Sequence, residues 1–301
     1  GVVHMVTPLE GGGPRAGRFG WKSQVATVLT FSADASLNEM GLTNRFLTTD
    51  NAPNGNLALL AACDSVSDPE DGPDLEGFDR IDRQTDFQRF LAPPPQTPRS
   101  GMTGEALFDQ VFCGSCHVPS FTTEIVAEAA LSGVTIHPYG DFLLHSVIGD
   151  GIVQGVGTEG RIRTAPLWGL AQRAGVGLLH DGSVTGASAE TNIHDAIMAH
   201  DNEAAFSQAA YAALSPAQQD QLIAFLMSLG RPEFDIEGNS TVDEIDWFFL
   251  YAFGHFTGPD TSGSGLFTPD AESAVADVDQ DGDFDLVDFG YMQRAFTGAL
   301  P

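Results

Sequence analysis

Gly104-Glu-Ala-Leu-Phe-Asp-Gln-Val-Phe112 runs directly into Cys113-Gly-Ser-Cys116-His117. The first nine residues read as a short amphipathic helix, with Leu107, Phe108, Val111 and Phe112 sharing one face at helical spacing. The next five have the pattern Cys-x-x-Cys-His. Two thiols three apart on a helical turn reach the two vinyl groups of one porphyrin, and a histidine directly after them sits beneath the iron. A redox dithiol or half of a zinc site would use the same two cysteines. A redox pair does not need the adjoining histidine, however, and zinc would need a second cysteine pair. The only other cysteine is Cys63, expected to be a buried or unpaired thiol. The stretch therefore predicts haem c, covalently held by Cys113 and Cys116, with His117 as proximal ligand. Such a haem is attached after export, which implies a periplasmic or extracellular compartment.

Downstream, Ser215-Pro-Ala-Gln218 reads as a helix start, with an N-cap serine and proline at the first helical position. That helix runs through Leu222, Ile223, Phe225, Leu226 and Leu229 and stops at Gly230. Asn192 to Ala209 reads as another helix. This region supplies the candidates for a sixth iron ligand: His137, His145, His180, His194, His200, Met198 and Met227. Periodicity does not separate them. Upstream, residues 1–100 read as loop-rich, with turn signals at Gly11-Gly-Gly-Pro14, Asn51-Ala-Pro-Asn-Gly55 and Pro93-Pro-Pro95. Gln24 to Phe31 suits helix or strand, and the acidic stretch 64–83 reads as an exposed loop.

Several stretches, in order, resemble a known family. They are Gly17-Arg-Phe-Gly-Trp21-Lys, Glu39-Met-Gly-Leu-Thr-Asn44, Phe90-Leu-Ala-Pro-Pro94, Gly104 to Pro119, and Tyr139-Gly-Asp-Phe-Leu-Leu-His145. Arg163-Thr-Ala-Pro-Leu-Trp-Gly169, Leu179-His-Asp-Gly182, Asp195-Ala-Ile-Met-Ala-His200 and Leu214 to Leu229 complete the set. Together they span roughly residues 15–230 and resemble the bacterial di-haem oxidoreductases of the thiol-oxidoreductase type, relatives of di-haem cytochrome c peroxidases. The resemblance implies two Cys-x-x-Cys-His haems, the first upstream of Gly17, whereas this sequence holds only the second. It implies that peroxide chemistry belongs to the first haem and electron feeding to the second. It places the distal ligand at the helix end after the His-Asp-Gly loop, which favours His200, with Met198 next. It casts His145 and His180 as loop-fixing residues and Arg163 as a bidentate partner of a haem propionate. Trp21 and Trp168 would lie between redox centres or in the core. Glu39 would be a remnant of the first haem's acid–base pocket, or a solvated carboxylate.

From Arg231 onward the composition turns acidic. Fourteen Asp and Glu lie between Asp235 and Asp288, and the segment 235–246 recurs at 277–288, 42 residues on. Each copy precedes an aromatic-rich helix and Phe-Thr-Gly. The second copy matches a calcium loop, with Asp277, Asp279, Asp281, Asp285 and Asp288 at oxygen-ligand positions. Gly282 stands at the sharp turn, and Asp283 contributes its carbonyl. The first copy is degraded, with Asp235, Glu237, Asn239, Thr241, Asp243 and Asp246 as ligands and Ser240 in place of glycine. So many adjacent carboxylates call for a hard cation, Ca2+. The pair of loops resembles dockerin-type repeats of secreted bacterial proteins, which implies a cohesin-like or cell-surface partner.

The formal net charge is −28, which disfavours nucleic acid and anionic lipid and suits cations or basic partners. No apolar run approaches the ~20 residues of a membrane span. The start, Gly-Val-Val-His, reads as a processed or truncated product. The predicted fold class is mainly α: a cytochrome c-like haem domain with long irregular loops over 99–232, preceded by a loop-rich segment 1–98 and followed by a small α calcium-loop module over 233–301. The expected function is oxidoreduction by electron transfer through haem c, as the electron-feeding half of a peroxidase-like enzyme with a redox partner protein or second haem domain. A mono-haem electron carrier, or a surface-attached binding or structural protein with an accessory haem, are the alternatives.

Overall fold

The helix predicted before Cys113 forms over Thr103–Gln110 and packs against the helix Pro216–Ser228. Its approach is set by Gly104, where a Cβ would lie 2.1 Å from the Gln221 carbonyl oxygen and 2.6 Å from Phe225 Cβ. Only a residue without a side chain lets the two backbones come this close. One turn on, Phe108 meets Phe225 edge to face at 5.6 Å between centroids, and both rings are buried. Such pairs add ~1 kcal/mol beyond their area burial. Ser215 and Gln218 form a reciprocal capping box at the start of the second helix.

The computed structural model describes residues 1–91, 93–94, 103–149, 151–230, 242–252 and 286–295. It is mainly helical. In chain order the helices are α1 (Val28–Met40), α2 (Leu57–Cys63), α3 (Arg80–Arg89), α4 (Thr103–Gln110), α5 (Leu170–Ala174), α6 (Ala189–Met198), α7 (Ala205–Ala212), α8 (Pro216–Ser228), α9 (Glu244–Ala252) and α10 (Leu286–Ala295). The strands are two residues each: β1 (Met5–Val6) with β2 (Arg15–Ala16), β3 (Phe121–Thr122) with β4 (Thr135–Ile136), and β5 (Leu144–His145) with β6 (Ile162–Arg163), all antiparallel. The chain divides into two units. The first is 1–92 with 142–163, and the second is 93–141 with 164–301.

In the first unit, α1 packs on α3. The segment read as helix or strand becomes helix at Val28, where the Thr27 side chain accepts from Thr30 N, and it closes at Gly41, whose φ of 69° is left-handed. The buried face of α1 is Thr30, Ser32, Ala33, Ser36 and Leu37. A face of small and hydroxyl residues leaves little apolar periodicity, which is why the helix is not evident in the sequence. The acidic stretch 64–83 is not wholly an exposed loop. Asp71 is buried and accepts from Arg80 N and Ile81 N, fixing the start of α3. Cys63 is exposed and makes no disulfide. Lys22 is almost fully buried, its Nζ donating to the Arg161 carbonyl at 2.6 Å.

In the second unit, α4 and α8 form the core with Tyr139, Leu170, Ile193 and Tyr211. The helix expected over 192–209 is broken. α6 stops at Met198, a short 3-10 turn spans Asn202–Ala204, and α7 follows. Asn202 sits at a φ of 50°, a left-handed conformation that interrupts the helical hydrogen bonds. Asn192 ties α6 to α5 by donating to the Ala174 carbonyl at 2.6 Å. Among the described residues, no helix is long and apolar enough to cross a membrane.

Candidate functional site

The site begins where α4 ends. Val111 stays on the buried face, but Phe112 takes a φ of 65° and turns out to about half exposure. Phe112 thus does not share the face predicted for it, because the left-handed residue ends the helical period. Cys113–Ser115 form one 3-10 turn, held by Ser115 N to Phe112 O, Cys116 N to Cys113 O and His117 N to Cys113 O. Cys113 opens the turn, Cys116 closes it and His117 follows directly. Neither cysteine is in a disulfide.

A second segment fixes His117. Asp141 N donates to Cys116 O at 2.9 Å and Gly140 N to Val118 O at 3.0 Å. Between the anchors and the core, Tyr139 sits at a φ of 49°, buried against Phe108 and Phe225. Its carbonyl receives His117 Nδ1 at 3.0 Å. An Nδ1–H bonded in this way leaves the lone pair on Nε2, the tautomer an iron-ligating histidine needs. The Tyr139 backbone conformation costs ~1 kcal/mol, and the aromatic packing of its ring offsets it. This carbonyl is the functional group that sequence reasoning missed. The one signal for it was the turn at Pro138-Tyr139-Gly140.

Burial pushes the Cys113 thiol up to about 12, with Cys116 and Asp109 adding to the shift. Reactive and redox cysteines lie in settings that lower their pKa. This one packs against an apolar core, a setting unlike that of an activated redox thiol. The residues present therefore fit haem c. Cys113 and Cys116 would hold it and His117 would ligate its iron.

The residues that could supply a second iron ligand have distinct settings. His200 follows the last turn of α6 and donates from Nδ1 to the Ala196 carbonyl at 2.6 Å. Burial holds its imidazole below the ordinary value, against the opposing effect of that hydrogen bond. A neutral imidazole is the form that binds iron. His194 is bonded through Nδ1 to the Tyr211 hydroxyl at 2.9 Å. Met198 is exposed at the end of α6, and Met227 packs on the core of α4 and α8. His137 is buried in this same unit, whereas His145 lies buried in β5 of the other. His180 is half-buried beside Leu179, whose φ is 65°.

Arg163 belongs to the first unit. Its Nε donates to Gly20 O at 3.0 Å, its guanidinium lies over the Phe142 ring at 5.9 Å, and burial lowers its pKa. Trp21, also in the first unit, is exposed, and Trp168 in the second is half-buried. Glu39 is exposed on the last turn of α1.

Of the calcium-loop residues, Asp235, Glu237, Asn239, Thr241, Asp277, Asp279, Asp281, Asp283 and Asp285 lie outside the described residues. Asp243, Asp246 and Asp288 lie within them. Asp246 and Asp288 stand at the same position of the two copies, in the first turns of α9 and α10, and both are fully buried. Asp243 N donates to Asp246 Oδ2 at 2.8 Å. The two helices meet through Trp247 and Phe289, 4.9 Å between centroids.

Comparison with curated proteins and with solved structures gives no match. The family described as "Di-haem oxidoreductase, putative peroxidase" matches residues 12–229, a span that holds the Cys113–His117 turn, the Tyr139 carbonyl and His200. The chain belongs to that family of di-haem oxidoreductases.

Proposed function

We propose that this chain carries one haem c, attached through Cys113 and Cys116 and ligated by His117 and His200, and that it feeds electrons within a peroxidase-like di-haem enzyme. The observation that carries the reading is the bond from His117 Nδ1 to the Tyr139 carbonyl, directly after a turn that gathers both thiols. A haem bound there supplies reversible one-electron transfer at its iron. The protein's part is to hold the group. The thioethers fix it covalently, and the Tyr139 and Ala196 carbonyls orient the two imidazoles. The buried faces of α4 and α8 keep water from the inner side of the attachment turn.

With His117 and His200 both holding the iron, the chain by itself would be a poor peroxidase. Stopped-flow mixing of the haem-loaded protein with hydrogen peroxide tests this. Slow or no reaction here, with fast reaction from a longer protein carrying an upstream haem, supports electron feeding. Rapid turnover by this chain alone contradicts it and removes His200 as the sixth ligand. A mono-haem electron carrier is the second reading, favoured by the single Cys-x-x-Cys-His in this sequence. A second such motif in the full gene decides against it.

The acidic residues 233–301 act in this reading as a dockerin-like calcium module that binds a cohesin-like or cell-surface partner. The matching place of the buried Asp246 and Asp288, each the last ligand position of its copy, supports it. The setting is periplasmic or extracellular, where haem c is attached and calcium is plentiful.

A further inference from the structure

α2 has the sequence Leu57-Ala-Leu-Leu-Ala-Ala-Cys63, apolar on every side. A helix of that composition is ordinarily buried. Here none of its residues is buried, and all but Leu60 are exposed. Leu57 and Leu59 are 72% and 45% exposed. The helix is fixed at its ends, where the Asn56 side chain accepts from Leu59 N and Asp64 N donates to Leu60 O. It belongs to the first unit, whereas the attachment turn belongs to the second. Exposed apolar surface of this kind marks a place where another chain binds.

The charge beside it is of one sign. Residues 50–79 hold eight Asp and Glu and no Lys or Arg. Four of these are answered within the unit: Asp71 by the amides of Arg80 and Ile81, Asp74 and Glu76 by Arg83, and Asp79 by Arg45. Asp50, Asp64, Asp68 and Glu70 form no ion pair among the described residues. Carboxylate oxygens of Asp50, Asp68 and Glu70 lie within 4.8 Å of one another. Thr43 meets part of their need, donating from Oγ1 to Asp68 at 2.5 Å and from N to Glu70 at 3.1 Å. Partial desolvation, then Asp68, Asp64 and Glu70, raise the Asp50 carboxyl above its ordinary value. Asp64 is also the C-cap of α2, so the crowded carboxylates adjoin the C-terminal end of the apolar helix. That end adds partial negative charge of its own.

A metal ion would answer the carboxylates and leave the leucines unexplained. A second copy would cover the leucines but bring two such clusters, in chains of net charge −28, towards each other. We propose that α2 and the carboxylates at its C-terminal end form a docking site for a basic protein segment, which lays apolar side chains on Leu57 and Leu59 and Lys or Arg on Asp50, Asp64 and Asp68. The proposal is independent of the haem reading. Apolar contact supplies the short-range affinity, and the carboxylates select a cationic partner and speed the encounter.

The test uses the full chain and, as probe, a short amphipathic helical peptide of leucine and lysine. Two control peptides carry serine for leucine and glutamate for lysine. Binding is followed by calorimetry at low and high salt. Its place is read from the alkylation rate of Cys63, exposed at the end of α2, by the mass of the fragment that carries it. The probe should bind, slow the alkylation of Cys63 several-fold, and bind less tightly as salt rises. Both controls should bind more weakly and leave Cys63 open. Leu57→Ser with Leu59→Ser should weaken binding roughly tenfold at either salt concentration. Because α2 buries none of its residues, the Tm of that variant should stay close to wild type. Asp50→Asn with Asp64→Asn should weaken binding at low salt alone. Val176→Ser, an exposed apolar side chain of the second unit, should change nothing. Undiminished alkylation of Cys63 with the probe bound, a leucine variant that binds as wild type, or a serine control that binds as tightly as the probe overturns the proposal. So does self-association of the wild type that the leucine variant abolishes, which would assign α2 to a second copy. Calcium uptake lost in Asp50→Asn with Asp64→Asn, while the probe leaves Cys63 open, would assign the carboxylates to an ion and overturn it too.

Discussion

Tyr139 has two tasks that pull on the same residue: its ring fills the core between Phe108 and Phe225, and its carbonyl holds His117. Any residue type supplies a carbonyl, so this contact has no signature in the sequence. Cys113, Cys116 and His117 stand out in the sequence because covalent haem attachment, as proposed, would fix their identity and spacing. Phe112 was misread because periodicity assumes the helix continues, and here one left-handed residue ends it. His200 was reached only by resemblance, and the structure adds its Nδ1 bond to Ala196 and its half-buried setting. In the bis-histidine reading, the wild-type haem is low spin and sits at a lower potential than a His/Met site. His200→Ala should turn the ferric haem high spin. An unchanged spectrum in the variant, or a wild-type charge-transfer band of Met–iron ligation, moves the ligand to Met198 or Met227.

Helices α4 and α8 were legible as elements because their apolar residues recur at helical spacing and a capping box marks the start of α8. Their mutual approach was not, since a glycine in a helix reads only as a weak helix former. Gly104→Ala tests what that glycine does. The added methyl would overlap the Gln221 carbonyl, so the helices must separate. The expected cost is ~1–3 kcal/mol, read as a lowered Tm and denaturation midpoint. A variant as stable as wild type would mean that the contact is loose. α1 shows the opposite case. Its buried Thr30, Ser32 and Ser36 are polar by type, and Thr30 Oγ1 bonds to Glu10 Oε2 and Leu9 N. A hydroxyl-rich face of this kind packs well but carries no apolar stripe to be read.

At the scale of the whole molecule, the stretch 142–163 belongs with residues 1–92, through the Val2–Leu144 backbone bridge, the bond from Lys22 Nζ to Arg161 O and the bond from Arg163 Nε to Gly20 O. Such non-local returns leave no mark in local sequence. The acidic repeat was legible as a repeat, and the burial of Asp246 and Asp288 at matching positions agrees with its symmetry. If residues 233–301 bind calcium, the ligands cluster within that module and the binding free energy is local folding free energy. Chelation should then loosen the module and leave the haem spectrum nearly unchanged. Calorimetry showing no calcium uptake, or undiminished uptake in Asp277→Ala with Asp288→Ala, would refute the module. The roles proposed for His117, Tyr139 and His200 all depend on covalent haem at Cys113 and Cys116. Its most direct measurement is the intact mass of denatured, acid–organic-extracted protein from a host competent in cytochrome c maturation. The expected result is a chain one haem heavier than its sequence, with retention weakened in Cys113→Ala and lost when both cysteines are replaced. A mass equal to that of the bare sequence after extraction would contradict it.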